Sequence, residues 1–429
     1  MATKKEKTPE QLRDEFRAEM SRISQVLDIQ GADIGRDQFL RESKWDRKKL
    51  DGIGQFNTLK KMYFPRIEVP AMKTGAAMVQ AHRNKFEKQV GMTKFVADEM
   101  TKVLKEHLEK HPIKFHKPVK RKKKAKSKDK RTLFAHWSDS HFGSNIKKSE
   151  VQVNEYNWVI ASRRLALFVE QICTYKPQYR SETELVLGIN GDILAGVIHD
   201  QEWFADLLID QYVGAVEILG QAITYLAQHF DIVRVKCSPG NHGRAMHKSG
   251  KSRATTHKYD SYETMLYVAL KHSLSQHPNI EIEIPKTPYV VIEAQGHKFF
   301  MTHGDTVINV GNPGKSLDMK NINDQINKMN ASTVGGEGGF AGLIVGHVHT
   351  PTIQLSEVGC MVIINGCSSG LDPFAQSIGI FSSNPTQQIF EVTKEHAVGD
   401  IRFIQLKPAD DRKDLDEIIK SYSKETREF

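Results

Sequence analysis

Apolar positions change their period near residue 132, and the change divides the chain. Before it, Leu12, Phe16, Met20, Ile23 and Leu27 recur three or four residues apart, the spacing that aligns side chains on one face of a helix. Thr8, Pro9 and Gln11 mark its start: a capping hydroxyl, a first-turn residue needing no N–H, and an amide that bonds back to the cap. Residues 36–64 predict three short helices. Asp37 starts one carrying Phe39 and Leu40; Ser43 starts one carrying Trp45, Leu50 and Ile53; after a Gly54-Gln55 turn a third carries Phe56, Leu59, Met62 and Tyr63. Residues 76–110 predict a further helix, with Phe95, Val96, Met100, Val103, Leu104 and Leu108 as its stripe and Pro112 as its stop.

From residue 132 the apolar runs are short and β-rich: Leu133–Trp137, Leu185–Ile189, Ile232–Cys237, Phe299–Met301, Leu343–Val345 and Met361–Ile364. Helical patterns such as Trp158–Ile172 and Tyr212–Ala227 lie between them, so an α/β domain with a largely buried sheet is predicted. The Gly- and Asn-rich stretch from Asp305 to Gly339 reads as a flexible flap over the site or as plain loop. The expected division is a helical N-terminal domain over 1–112, a basic linker over 113–131, the α/β domain over 132–410 and a charged tail over 411–429.

Charge sharpens this division. Residues 114–131 hold eleven Lys or Arg against one Asp, a local +10 in a chain of net +9, so the remainder sums to −1. Basicity belongs to one segment. It is either a solvated linker or a tether for a polyanion, since Lys120, Arg121, Lys122, Lys123, Lys124 and Lys126 would each displace counterions from nucleic acid. The charged exteriors of the 36–64 helices leave a similar choice between a helix-turn-helix-like DNA-binding module and a plain three-helix packing element. The four cysteines show no C-x-x-C spacing, no run of eighteen apolar residues occurs, and the N-terminus lacks an apolar signal core. A soluble cytoplasmic protein, neither secreted nor membrane-bound, is expected; homo-oligomerisation stays open.

Five short motifs follow the apolar runs: Asp139-Ser140-His141, Gly191-Asp192, Gly240-Asn241-His242, Thr302-His303-Gly304 and Gly346-His347-Val348-His349. Singly, a Gly-Asp is usually a turn and a His a surface or core residue. Five in order outweigh those readings, because loops at strand ends converge and α/β sheets place ligands there. Together they offer carboxylates, an amide oxygen and imidazoles, seven ligands for two divalent cations. The mixed set suits Mn²⁺ first, with Fe²⁺, Zn²⁺ and Mg²⁺ as alternatives. Two cations roughly 3.5–4 Å apart stabilise both the attacking and the departing oxygen of a phosphoester.

The ordered set D-x-H, G-D, G-N-H, H and G-H-x-H, over about residues 132–405, resembles the calcineurin-like metallophosphoesterase superfamily. Asp139-Ser140-His141-Phe142-Gly143 is similar to the form in its double-strand-break repair nucleases. Gly240 to Arg244, Gly346 to Pro351 and Ile364-Asn365-Gly366 are similar to phage and plasmid nuclease-like members. The resemblance implies a β-sandwich flanked by helices, four layers in all. It implies that Asp139, His141 and His349 hold one metal, that Asn241, His303 and His347 hold the other, and that Asp192 bridges them. It also makes His242 the candidate to protonate or steady the leaving oxygen. Many members carry an acid after Gly-Asn-His that orients this histidine; here Gly243 and Arg244 follow, leaving the His to another acid or charge stabilisation to Arg244. Arg244, Lys248, Lys251 and Arg253 make the ensuing loop a phosphate-binding candidate. The expected activity is a metal-dependent DNA nuclease, exo or endo, with RNA as a possible substrate. The alternative is a protein or small-molecule phosphatase whose N-terminal helices bind a partner.

Overall fold

The computed structural model describes residues 8–27, 34–64, 102, 115–118, 131–175, 184–197, 205–244, 258–311, 317–332, 339–377 and 384–423. The chain divides into two compact units, residues 1–92 and 93–429.

In the first unit, α1 (Pro9–Leu27), α2 (Arg36–Glu42), α3 (Arg47–Asp51) and α4 (Phe56–Tyr63) share one core. The capping box of α1 forms: Gln11 N–H donates to Thr8 Oγ1 at 3.3 Å and Thr8 N–H to Gln11 Oε1 at 3.1 Å. The apolar stripe of Phe16, Met20 and Ile23 is buried against Phe39, Trp45, Leu50 and Phe56, with Phe16 and Phe39 ring centroids 5.0 Å apart. The second short helix starts at Arg47 rather than at Ser43. The Asp46 carboxylate caps it, accepting from Lys49 N–H at 2.7 Å, and Trp45 enters the core from the preceding turn. Met62, expected on the apolar face, is 69% exposed. The helix expected over 76–110 lies outside the described residues, Lys102 excepted.

The second unit has two sheets between helices. One sheet, in the order β11-β10-β1-β2-β3-β4, comprises β1 (Thr132–Trp137), β2 (Glu184–Asn190), β3 (Ile232–Ser238), β4 (Ile280–Glu283), β10 (Thr386–Val392) and β11 (Gly399–Gln405). The other, in the order β5-β6-β7-β9-β8, comprises β5 (Val290–Ala294), β6 (His297–Met301), β7 (Gly342–Val345), β8 (Thr352–Leu355) and β9 (Met361–Ile364). Strands β1 to β4 run parallel, as do β6, β7 and β9.

Alternation along each strand builds the layers. Phe134, Val186, Phe299, Met301, Ile344 and Phe390 meet between the sheets. Their neighbours Leu133, Ala135, Trp137, Leu185 and Leu187 pack on α6 (Trp158–Tyr175), α7 (Leu208–His229) and α8 (Tyr262–Ser273). On the far side, Phe300, Leu343 and Val345 pack on Ile322 and Ile326 of α9 (Met319–Asn330). Burial on both faces explains why β1, β2 and β7 read as continuous apolar runs. The result is the expected α/β class, two sheets flanked by helices. The short helices α5 (Lys148–Val151) and α10 (Pro373–Ser377) complete it.

Within the stretch expected as a flap or loop over Asp305 to Gly339, Met319–Asn330 instead form α9, which Asp318 caps by accepting from Asn321 N–H at 3.1 Å; residues 312–316 and 333–338 lie outside the described residues. Its Asn-rich sequence hides the pair Ile322 and Ile326, one turn apart and buried. In the segment expected as a charged tail, Leu415, Ile419 and Tyr422 are buried, and the Tyr422 hydroxyl donates to Asp210 Oδ1 at 2.7 Å. Among the described residues no helix is long and apolar enough to cross a membrane.

Candidate metal centre

Each motif begins just beyond a strand: Asp139 after β1, Asp192 after β2, Asn241 after β3, His303 after β6 and His347 after β7. Parallel neighbours bring these ends together, and backbone hydrogen bonds tie the loops. Asp139 N–H donates to Gly191 O at 3.0 Å, His141 N–H to Asp192 O at 3.0 Å, and Gly346 N–H to His303 O at 2.9 Å. The glycines of the motifs stand where no side chain fits. A Cβ on Gly240 would lie 2.1 Å from Asp192 Oδ1, and one on Gly346 2.6 Å from Asp139 Oδ2.

Among the described residues, candidate ligand atoms gather within 4.8 Å in Asp139 with His141 and His349, and in Asp192 with His303 and His347. A third group, His141 with Asp192 and His242, links the two. His349 Nε2 lies 3.4 Å from Asp139 Oδ1 and 3.3 Å from His141 Nε2. His303 Nε2 lies 2.9 Å from Asp192 Oδ2 and 4.0 Å from Asp139 Oδ1, so the two groups adjoin. His303 Nδ1 donates to Asn190 O at 2.8 Å, which turns Nε2 towards Asp192. Asn241 Oδ1 is buried with no hydrogen-bond partner. Asp139, His141, Asp192, His347 and His349 all adopt positive φ, between 48° and 69°. Only Gln152 and Gln295 do so otherwise among the described non-glycine residues. Such strain costs about 1–3 kcal/mol per residue and concentrates where side-chain aim matters.

Electrostatics separates the histidines. Burial disfavours charge on all of them. It lowers His347 to about 4 and, with His242 and His349 alongside, takes His141 well below the usual imidazole range. Around His303 burial is outweighed by Asp192 and Asp139, raising it to about 9. Around His349 burial is outweighed by Cys367 and Asp139, raising it to about 10. Burial also opposes charge on Asp139 and Asp192, but the adjacent histidines hold both carboxyls below the usual range.

These donors fit divalent metals: buried carboxylates, imidazole nitrogens converging on them, and an amide oxygen that nothing else satisfies. His242 joins the same locus. Its ligand atom lies within 4.8 Å of those of His141 and Asp192, its Nδ1 donates to Ala195 O at 2.7 Å, and its backbone N–H donates to Asp192 Oδ1 at 2.8 Å. Arg244 is engaged in an ion pair with Asp305 at 2.8 Å, and buried Lys258 pairs with the other Asp305 oxygen. This triad carries one surplus positive charge next to Gly304 and His303. Lys120, Arg121, Lys122, Lys123, Lys124, Lys126, Lys248, Lys251 and Arg253 lie outside the described residues.

Sequence reasoning missed Lys258, Asp305 and Glu263. None belongs to a motif, and Glu263 is a charged residue buried in the first turn of helix α8. It also missed the polar seam beneath the metal ligands, where Asn190 Nδ2 donates to His136 Nε2 at 3.1 Å and Gln387 Nε2 to Ser138 O at 3.1 Å.

The sequence matches no protein-family model and no curated protein. Solved structures do match. A hypothetical protein from Pyrococcus horikoshii is 13% identical with a TM-score of 0.33, over 67% of this chain and 95% of its own. A dimetal phosphatase from Danio rerio is 10% identical with a TM-score of 0.32, over 64% and 99%. A 5'-nucleotidase from Candida albicans is 9% identical with a TM-score of 0.30, over 70% and 56%.

Proposed function

We propose that the chain is a metal-dependent phosphodiesterase of the calcineurin-like metallophosphoesterase kind, and that its substrate is DNA. The reaction type rests on one observation: two adjoining groups of buried carboxylates and imidazoles, joined where His303 approaches both Asp192 and Asp139. Asp139, His141 and His349 would hold one cation and Asn241, His303 and His347 the other, with Asp192 between them. Bound, two such ions supply Lewis-acid stabilisation of phosphate charge and activation of the attacking water. Mn²⁺ is the ion this donor set suits first.

The chain's own residues do the rest. Asn190 O fixes the tautomer of His303, and Ala195 O fixes that of His242. With Nδ1 held by the backbone, we assign the proton exchange with the leaving oxygen to His242 Nε2. Arg244 and Lys258, sharing Asp305, place net positive charge where phosphate oxygens approach. DNA as substrate is supported by the +10 segment over residues 114–131 and by the nuclease-like form of the first motif.

The test is hydrolysis by the full chain of single- and double-stranded DNA, bis(p-nitrophenyl) phosphate and p-nitrophenyl phosphate, with Mn²⁺ and with chelator. DNA and diester should be cut with Mn²⁺ only. Intact DNA beside rapid monoester hydrolysis would replace the nuclease reading with a phosphatase.

A further inference from the structure

The loops bearing Asp192 and Asn241 are joined by a side chain that is not part of any motif. Glu263, in the first turn of α8, is fully buried. Its Oε1 accepts from Ile193 N–H at 2.6 Å and from Leu194 N–H at 3.3 Å, and its Oε2 accepts from Gly240 N–H at 2.6 Å. Ile193 follows Asp192 in sequence and Gly240 precedes Asn241, so one carboxylate spans the residues adjoining two ligands. All three partners are donors. Both oxygens accept, and the site is built for a carboxylate rather than an amide, whose NH₂ would oppose one of the N–H groups.

The place Glu263 occupies depends on a second residue. A Cβ on Gly243 would lie 2.6 Å from Glu263 Cγ, 3.1 Å from Cδ and 3.2 Å from Cβ. Gly243 sits beside the start of α8 because Tyr262 N–H donates to Gly243 O at 2.8 Å and Arg244 bridges Ser261. No positive φ requires glycine there, so its lack of a side chain is explained by the room Glu263 takes. The acid expected after Gly-Asn-His is thus absent from the loop, and a carboxylate reaches the same loop from the helix.

We infer that Glu263 is a positioning residue that sets the spacing of the Asp192 and Asn241 loops, and that Gly243 is its steric counterpart. The inference rests on the dinuclear reading of the site. An outer-shell partner of this kind typically changes metal affinity 10- to 100-fold when removed.

The experiment is calorimetric titration of the metal-free full chain with Mn²⁺, for wild type, Glu263→Gln, Glu263→Ala, Gly243→Ala and the Gly243→Ala/Glu263→Ala double variant, each checked for native circular dichroism. Wild type should bind two ions. Glu263→Gln should bind one of them about 10- to 100-fold more weakly. Gly243→Ala should weaken binding in the wild-type background and add nothing to Glu263→Ala, because the obstructing side chain is then gone. A merely structural Glu263 would not produce that dependence. If Glu263→Ala does not fold, Glu263→Gln alone decides. Two ions at wild-type affinity in Glu263→Gln, or additive effects of Gly243→Ala and Glu263→Ala, would overturn the inference. Fewer than two ions in wild type would instead overturn the dinuclear reading.

Discussion

Asp192 Oδ2 faces His303 Nε2 at 2.9 Å across the junction of the two sheets. Asp192 hangs from the end of β2 and His303 from the end of β6, so this approach exists only when the sandwich is closed. The other oxygen of Asp192 accepts from His242 N–H, which ties the β3 loop to the same carboxylate.

The raised values of His303, about 9, and His349, about 10, set a pH signature for the metal-free chain. Both are protonated at pH 7, and a metal must displace those protons, so Mn²⁺ affinity should rise with pH through that range. Stability should move the other way. A histidine raised in the folded state contributes fully below its unfolded value near 6.5 and loses that contribution as pH climbs through its folded value. His136 and His347, lowered chiefly by burial to about 3 and about 4, are already neutral in this window. Thermal midpoints and Mn²⁺ titrations between pH 6.5 and 10 should show opposite slopes; parallel slopes would refute the assignment.

His242→Ala should lower diester turnover by about 10²–10⁴-fold, the usual contribution of a general acid, while two metals per chain remain. Elemental analysis distinguishes this from a ligand role, in which one metal would be lost.

Arg164 has a wholly buried side chain whose guanidinium forks onto Asp410 at 2.7 and 2.8 Å and donates to the carbonyls of Ser368 and Ser369. Ser368 N–H in turn donates to Asp139 O at 3.0 Å, so the pair braces a ligand loop. Arg164→Ala leaves the Ser368 and Ser369 carbonyls without their buried donor and leaves the partly buried Asp410 to Lys407 alone, and should cost about 3–5 kcal/mol in chemical denaturation. A loss under about 1 kcal/mol would mean the loop is held otherwise.

What is legible in the chain follows from how local each signal is. The six apolar runs form β1, β2, β3, β6, β7 and β9, covered on both faces in β1, β2 and β7 and alternating in β3. Strand β10 reads Thr-Gln-Gln-Ile-Phe-Glu-Val, a polar pattern, yet is buried, since Gln387 and Gln388 hydrogen-bond inside the sandwich. The edge strand β8 is half exposed and too short to give a pattern. Metal ligands are readable because chemistry fixes residue type at strand ends. Glu263 is not, because its role depends on Gly243 across a tertiary contact.

For the basic segment, replacing Lys120, Arg121, Lys122, Lys123, Lys124 and Lys126 by Gln in the full chain should leave diester hydrolysis intact. It should flatten the dependence of DNA affinity on salt by about 0.9 in log–log slope for each phosphate no longer neutralised. An unchanged slope would mean that the segment does not touch DNA.

The central claim is two cations joined through Asp192. Metal content of the full chain, equilibrated with Mn²⁺, freed of excess ion and measured by plasma mass spectrometry, tests it most directly. Two ions per wild-type chain and no more than one in a folded Asp192→Asn variant are expected, because the substitution removes the charge both ions share. One ion or none in wild type, or two in Asp192→Asn, would contradict the account.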